Sequence, residues 1–129
     1  MGKRREEKEI VLAFIKSPHC PKGMTYEEYT IPKVKEVEGR KIFVNALKGI
    51  WSYRIDVYII GEDGYHYIVE AKTTLNTHAL GQLLCYRELL AEANNLELDK
   101  IKMLCVYRRD EPSLHKVYEK YGIRLIQIK

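Results

Sequence analysis

Residues 52–73 read SYRIDVYIIGEDGYHYIVEAKT, and this stretch decides the fold. Its pattern predicts one strand over residues 52–60, a tight turn over residues 61–64 and a second strand over residues 65–73. A turn that short makes the two strands antiparallel neighbours. The hairpin therefore brings side chains of the two strands opposite each other.

Charged side chains interrupt both apolar strands of this hairpin. Side chains in a strand alternate between its two faces, so Glu70 and Lys72 point the same way. Asp56 lies on the first strand, on the face opposite to its apolar neighbours. Those neighbours are Ile55, Val57 and Ile59. We expect the hairpin to bring Asp56 beside Glu70.

Two carboxylates on an otherwise apolar strand pair repel each other and resist desolvation unless a cation lies between them. Their hard oxygen atoms suit Mg²⁺ or Mn²⁺. Lys72 would then orient an attacking water or stabilise developing negative charge. The alternative is a structural ion-pair cluster of Asp56, Glu70 and Lys72 on a solvated sheet face, because this spacing also arises by chance.

The flanking sequence predicts a mixed α/β sheet covered by helices. Hydrophobic periodicity and turn residues define the other elements. Helices are expected over residues 5–16, 77–93 and 112–121, and further strands over residues 24–31, 34–37, 41–47, 101–107 and 123–128. The run at 101–107 is nearly continuous apolar sequence, as in a parallel strand that is covered on both faces. With the hairpin at residues 34–47 counted apart, the order is α-β-β-β-α-β-α-β.

The composition is that of one ordinary globular domain over residues 1–129. Apolar residues make up 46% and charged residues 31%, a balance that excludes a disordered chain. No apolar run approaches the roughly 20 residues that cross a bilayer, so we expect a cytoplasmic protein with no membrane partner. The three cysteines form neither a disulfide framework nor a CxxC metal site. The net charge of +4 is compatible with phosphate binding.

Asp56, followed by Glu70, Ala71 and Lys72 after a glycine-containing hairpin, resembles the site of the PD-(D/E)xK nucleases, also called restriction-endonuclease-like. The α-β-β-β-α-β order around these residues is the order that this superfamily uses. The chain departs from the family pattern at Ile55, where the name-giving proline is absent.

A second resemblance lies downstream, in the sequence GQLLCY at residues 81–86. It is similar to the Gln-x-x-x-Tyr element of RecB-like members, with Gln82 and Tyr86 at the two motif positions. Helical spacing places these side chains one above the other. The alternative is that Tyr86 is a core residue and Gln82 its solvated neighbour.

The resemblance implies a Mg²⁺- or Mn²⁺-dependent deoxyribonuclease. The implied metal ligands are Asp56, Glu70 and the carbonyl of Ala71. Catalytic roles are implied for Asp56, Glu70, Lys72, Gln82 and Tyr86. In this superfamily an acidic residue of the first helix often completes the metal shell, and residues 7–11, EKEIV, are similar to the Glu-x-x-Ile-Val start of archaeal Holliday-junction resolvases. We therefore assign Glu7 to the metal and expect Glu6 and Glu9 to be solvated.

The interpretation as a nuclease also predicts the partners of this chain. The basic residues expected to contact DNA phosphates are Lys33, Arg40, Lys41 and Arg54. One small domain offers a single site, so cutting two strands together requires a homodimer, and the apolar last strand is a candidate edge for it. Two alternatives stay open: an inactive nuclease-fold module that binds DNA or a protein, and cleavage of RNA.

Overall fold

The structure is a computed structural model that describes residues 2–44 and 53–129. Its elements are α1 (Gly2–Lys16), β1 (Gly23–Thr30), β2 (Lys33–Val37), β3 (Arg40–Val44), β4 (Arg54–Gly61), β5 (His66–Thr74), α2 (Thr77–Asn94), β6 (Ile101–Arg109), α3 (His115–Lys120) and β7 (Ile123–Gln127). Short 3-10 turns, Leu98–Lys100 and Pro112–Leu114, precede β6 and α3. The helix predicted over residues 112–121 is thus a 3-10 turn followed by a shorter α-helix.

The centre of the fold is a five-stranded sheet with the order β1-β4-β5-β6-β7. The pairs β1–β4 and β4–β5 are antiparallel, whereas β5–β6 and β6–β7 are parallel. The predicted mixed sheet is confirmed, and so is the order α-β-β-β-α-β-α-β for the helices and the strands of this sheet. The hairpin β2–β3 forms a separate two-stranded sheet between β1 and β4 along the chain. Predicted strand residues 45–47 and 52 lie outside the described residues.

Two helices cover opposite faces of the sheet. α1 buries Ile10 and Phe14 in a cluster with Val69, and α2 buries Leu83 in a second cluster with Ile68. Val69 and Ile68 are neighbours on β5, so they point to opposite faces. The central strands are therefore apolar on both sides, which is why a polar side chain on β5 leaves water when the chain folds.

Both faces of the parallel strand β6 are likewise covered by helices. Leu104 and Val106 belong to the cluster under α1, while Met103 and Cys105 belong to the cluster under α2. This explains the nearly continuous apolar run at 101–107. Each parallel connection contains a helix, α2 between β5 and β6 and α3 between β6 and β7, as such connections require.

The start of α1 corrects one expectation. Glu6 is half-buried and paired: its carboxylate accepts hydrogen bonds from Arg108 at 2.9 Å and Arg109 at 3.3 Å, both at the end of β6. Glu9 is exposed as expected. The helix also begins earlier than predicted, at Gly2 and not at residue 5. Of the helices within residues 2–44 and 53–129, none is long and apolar enough to cross a membrane.

Candidate active site

Asp56 and Glu70 lie where the ladder between β4 and β5 ends. The antiparallel pairs run from Ile60–His66 to Val57–Val69, and the same register, continued by one residue, sets Asp56 opposite Glu70. In place of a further backbone pair, each carboxylate binds the backbone of the other strand. The Asp56 N–H donates to Glu70 Oε2 at 2.8 Å, and the Ala71 N–H donates to Asp56 Oδ2 at 2.9 Å. Both carboxylates are thus held in place, and each keeps one oxygen that makes no such bond.

The other side of β4 is also interrupted at Asp56. β1 pairs with β4 at Glu27–Val57 and at Tyr29–Ile55, but Glu28 and Asp56 between them do not pair. Glu28 has a φ of 51°, a backbone conformation that is uncommon for a residue other than glycine. Asp56 therefore has no paired residue on either neighbouring strand, β1 or β5.

This interruption corrects a second expectation, that Ile55 shares a face with Val57 and Ile59. Val57 and Ile59 pack in the cluster under α1, whereas Ile55 packs in the cluster under α2. Strict alternation holds only where the strand is regular, and β4 is irregular at Asp56. The consequence is that Asp56 borders a cavity beside α1, although alternation from Val57 predicts the other face.

That cavity has a volume of about 560 Å³ and lies between α1 and the β1–β4 pair. Its acidic lining consists of Asp56, Glu7, Glu27 and Glu28. Its basic lining consists of Lys3, Arg4, Lys8 and Arg54. The cavity thus offers carboxylates that suit a cation and basic side chains that suit a phosphate.

The electrostatics of the carboxylate pair are unfavourable without a cation. Glu70 is only 2% exposed, and burial, together with the nearby Asp56 carboxylate, raises the pKa of Glu70 to about 8. Burial also raises the pKa of Asp56, although the hydrogen bond from the Ala71 N–H opposes that shift. Burial and the charge of Glu70 raise the pKa of the neighbouring Cys105 thiol to about 12. The raised pKa values of Glu70, Asp56 and Cys105 all indicate that water is largely excluded here and that the nearby charge is negative.

Lys72 lies in the same surrounding and is 8% exposed. Its positive charge lowers the pKa of both Asp56 and Glu70, so its ammonium group is within electrostatic reach of the two carboxylates. A single lysine does not offset the burial of two carboxylates, because the pKa of each remains raised. A further positive charge at this site would therefore lower the electrostatic cost of the two carboxylates.

The residues fit a small divalent cation. Glu7 raises the pKa of Asp56 and Glu70, which places its carboxylate near the pair, and its Oε2 atom is buried without a hydrogen-bond partner. Within the described ranges no three His, Cys, Asp or Glu side chains are close enough to hold a metal by themselves. Mg²⁺ does not need such a cage, since it commonly binds one or two carboxylates and keeps several waters. The backbone carbonyl of Ala71 and water would supply the other oxygens.

Gln82 and Tyr86 lie on α2, on the side of the sheet that carries Glu70. Gln82 Nε2 donates to the Tyr86 hydroxyl at 3.5 Å, and Gln82 Oε1 is buried without a hydrogen-bond partner. Burial raises the pKa of Tyr86, and the charges of Glu70 and Asp56 raise it further. Tyr86 is therefore both a core residue, as the structural alternative states, and a neighbour of the carboxylate pair.

The basic residues predicted to contact DNA lie in different parts of the structure. Arg54 borders the cavity at Asp56, whereas Lys33 borders a different hollow beside Tyr53. Arg40 is exposed at the start of β3, and the side chain of Lys41 lies outside the described part of the chain. Among the members of this set whose side chains are described, only Arg54 lines the cavity at Asp56.

Sequence reasoning missed several residues of this cavity. Lys3, Arg4 and Lys8 line it with Glu7, and a signal for them existed, because Lys3 and Arg4 lie three or four positions before Glu7 on the same helix. No sequence pattern indicates Glu28, since its place depends on the irregular pairing of β1 with β4.

The chain has the fold of known endonuclease structures. It matches the structure of an EndoMS–dsDNA complex with a TM-score of 0.59 and 21% identity over 95% of this chain. It matches a repair endonuclease from Pyrococcus abyssi and apo EndoMS, each with a TM-score of 0.56 and 19% identity over 95% of this chain. The predicted nuclease-like fold is therefore confirmed.

The likeness covers only part of those proteins. This chain spans 44% of the EndoMS chain in the DNA complex and 46% of each of the other two chains. Neither a protein-family model nor a curated protein matches the sequence.

The raised pKa of Glu70 predicts a pH-dependent gain in stability for Glu70→Gln in metal-free buffer. The folded protein holds a proton on Glu70 up to a pH of about 8, whereas the unfolded chain releases it near the ordinary value of 4.5. The contribution of Glu70 to the free energy of unfolding is thus fully present below pH 4.5 and is lost as the pH rises through 8. At pH 9 the glutamine variant should be more stable by about 1–4 kcal/mol, because no charge is buried.

Urea unfolding with EDTA at pH 5, 7 and 9 measures this difference. The matched control is Glu88→Gln, which changes an exposed glutamate of α2 and should leave the free energy of unfolding unchanged at each pH. An advantage of Glu70→Gln that stays constant with pH, or grows toward acid, would contradict the burial of a charged Glu70.

Proposed function

We propose that this chain is a metal-dependent nuclease that hydrolyses phosphodiester bonds of DNA, with Asp56, Glu70, Glu7 and the Ala71 carbonyl as ligands of Mg²⁺ or Mn²⁺. The observation that carries the proposal is the carboxylate pair. Asp56 and Glu70 are each anchored through one oxygen to the opposite strand, and Asp56 borders a cavity whose lining includes four basic side chains. Groups held so firmly lose little entropy when a metal and a phosphate bind between them.

When bound, the metal ion would polarise a phosphate oxygen and lower the pKa of a bound water. The protein supplies the rest of the chemistry. The hydrogen bonds from the Asp56 and Ala71 N–H groups fix the direction of the two carboxylates. Lys72, on the same strand two residues after Glu70, stabilises the negative charge that develops at phosphorus or orients the attacking water.

Tyr86 and Gln82 support Glu70 from the α2 side. The buried Gln82 Oε1 has no hydrogen-bond partner, so it is available to accept from a water or from substrate. Asn76 is the N-cap of α2, and its Oδ1 accepts from the N–H groups of His78 and Ala79, so the first turn of the helix is held directly after β5. This cap keeps the helix in place relative to the strand that carries Glu70.

DNA is the proposed substrate for two reasons. The cavity at Asp56 has four cations in its lining, Lys3, Arg4, Lys8 and Arg54, which can contact consecutive phosphates. The structures with the same fold are endonucleases, and one of them is a complex with double-stranded DNA. The same chemistry would also act on RNA, which makes RNA the second substrate to assay.

Substitutions in the site should abolish catalysis and preserve the fold. Asp56→Asn and Lys72→Met should lower Mg²⁺-dependent cleavage by about 100- to 10,000-fold, because each removes charge at the reacting phosphate. Cleavage of labelled single-stranded, duplex, flapped and branched DNA with Mg²⁺ or Mn²⁺ measures the effect, and thermal unfolding shows whether each variant is folded. The control is Asp63→Asn, in the turn at the other end of the same hairpin.

Undiminished cleavage by folded Asp56→Asn would refute the assignment of this residue. A wild-type protein that binds DNA but releases no product with either metal would instead identify an inactive binding module.

The basic lining of the cavity predicts a salt-dependent contribution to DNA affinity. Arg54→Gln and Lys8→Gln should each weaken binding and reduce the salt slope by about one unit, since each removes one phosphate contact. Fluorescence anisotropy at several salt concentrations in EDTA measures both quantities. Lys116→Gln, on α3, is the control and should change neither. Equal slopes for all three variants would exclude the cavity as the path of the DNA.

We further propose that the chain cuts duplex DNA as a homodimer. β7 is an edge strand of the sheet, and Ile123, Ile126 and Ile128 are already buried within one chain. A dimer through this edge would therefore be formed by backbone hydrogen bonds. Sedimentation should show a dimer at micromolar concentration, and a monomer at that concentration would refute this arrangement.

A further inference from the structure

We propose that Tyr53 and the hollow beside it bind one unpaired nucleobase next to the phosphate that is cut. This inference rests on the proposed function, because it assigns a neighbouring subsite on the same substrate. Tyr53 is 46% exposed and directly precedes β4, three residues before Asp56. Isolated exposed aromatic residues are common, so exposure alone carries no weight. The surroundings of this ring distinguish it.

The backbone of Tyr53 is held against the end of β1. The Ile31 N–H donates to the Tyr53 carbonyl at 2.8 Å, which continues the pairing of β1 with β4 beyond Thr30–Arg54. Two features thus fix the position of the residue: this bond and its place at the start of a central strand. A ring with a fixed backbone loses little conformational freedom when a flat ligand stacks on it.

Tyr53 is connected to the active site through Tyr86. The two ring centroids are 6.3 Å apart and the ring planes are inclined by 58°, a tilted aromatic contact. Tyr86 in turn lies close enough to Glu70 and Asp56 for their charges to raise its pKa. The ring of Tyr53 is thus linked to the carboxylate pair through Tyr86, which supports a subsite for a nucleotide that adjoins the reacting one.

The hollow beside Tyr53 has a volume of about 250 Å³ and a lining that suits a nucleobase. Ile31, Pro32 and Leu89 form an apolar wall, and Tyr53 offers a ring for stacking. The two charged residues of the lining are Lys33 and Glu92. Lys33 would contact the phosphate of the bound nucleotide, and the Glu92 carboxylate would accept a hydrogen bond from an exocyclic amino group of the base.

The ligand must be an unpaired base. In a duplex both faces of a base are covered by its neighbours and its pairing edge is occupied, so it cannot stack on Tyr53 or enter a hollow of this kind without leaving the helix. The subsite thus favours substrates with an unpaired nucleotide beside the cut, such as single strands, flaps, junctions and frayed ends.

The test is a binding titration in EDTA with a short single strand that carries 2-aminopurine, whose fluorescence is quenched when it stacks on an aromatic ring. Tyr53→Ala should weaken binding by about 5- to 150-fold, the range that corresponds to 1–3 kcal/mol for one stacked base, and should reduce the quenching. Tyr53→Phe should retain both, because the ring remains. Binding of a blunt, fully paired duplex should change much less.

Two further variants sharpen the test. Tyr121→Ala is the matched control: Tyr121 is 45% exposed but follows α3, at the far edge of the sheet, and its loss should alter neither strand affinity nor quenching. Lys33→Gln should weaken single-strand binding and lower its salt slope by about one unit without changing the stacking signal. Because Lys33 carries its charge at the rim of the hollow, this variant tests the subsite if Tyr53→Ala fails to fold.

The outcomes separate the two proposals. Tyr53→Ala that binds and quenches like the wild type would overturn the subsite, and so would an equal loss of affinity for the single strand and the blunt duplex. A wild-type protein that binds neither DNA would refute the proposed function itself.

Discussion

The mutual anchoring of Asp56 and Glu70 is the interaction on which the rest of the candidate site depends. Two carboxylates are brought together at the end of an antiparallel ladder, and each accepts a backbone N–H from the other's strand. These bonds hold the carboxylates in place although burial disfavours their charged forms. The result is a site with unfavourable electrostatic energy. Binding of the proposed metal ion would relieve that energy and would thereby stabilise the fold.

The two helical layers explain why charged side chains are buried on β5. Clusters under α1 and α2 cover both faces of the strand, so Glu70 and Lys72 leave water together with their apolar neighbours. β5 is also where the sheet changes from antiparallel to parallel pairing. One edge of β5 thereby meets the hairpin partner that carries Asp56, and the other meets the buried Cys105 of β6. The helices contribute Glu7 from one face and Tyr86 from the other.

The likeness to the endonuclease structures concerns this scaffold. At about one-fifth identity and under half of the length of those proteins, it shows a shared fold. Function is carried by the arrangement of side chains on that fold. Here the anchored Asp56 and Glu70 carboxylates lie with the buried Lys72, and Asp56 borders a cavity that also has basic side chains in its lining. Tyr53 lines a second hollow and contacts Tyr86.

Sequence alone determined the elements with a clear local period. Alternation along residues 52–73 predicted both strands and set Asp56 opposite Glu70, and helical spacing placed Gln82 beside Tyr86, because these relations depend only on residues a few positions apart or joined by a short turn. Tertiary structure decided what depends on distant partners. The irregular pairing of β1 with β4 at Glu28 placed Ile55 and Asp56 on other faces than predicted, and ion pairs with Arg108 and Arg109 joined Glu6 to the end of β6. Such contacts join segments far apart in the chain, and no local pattern records them.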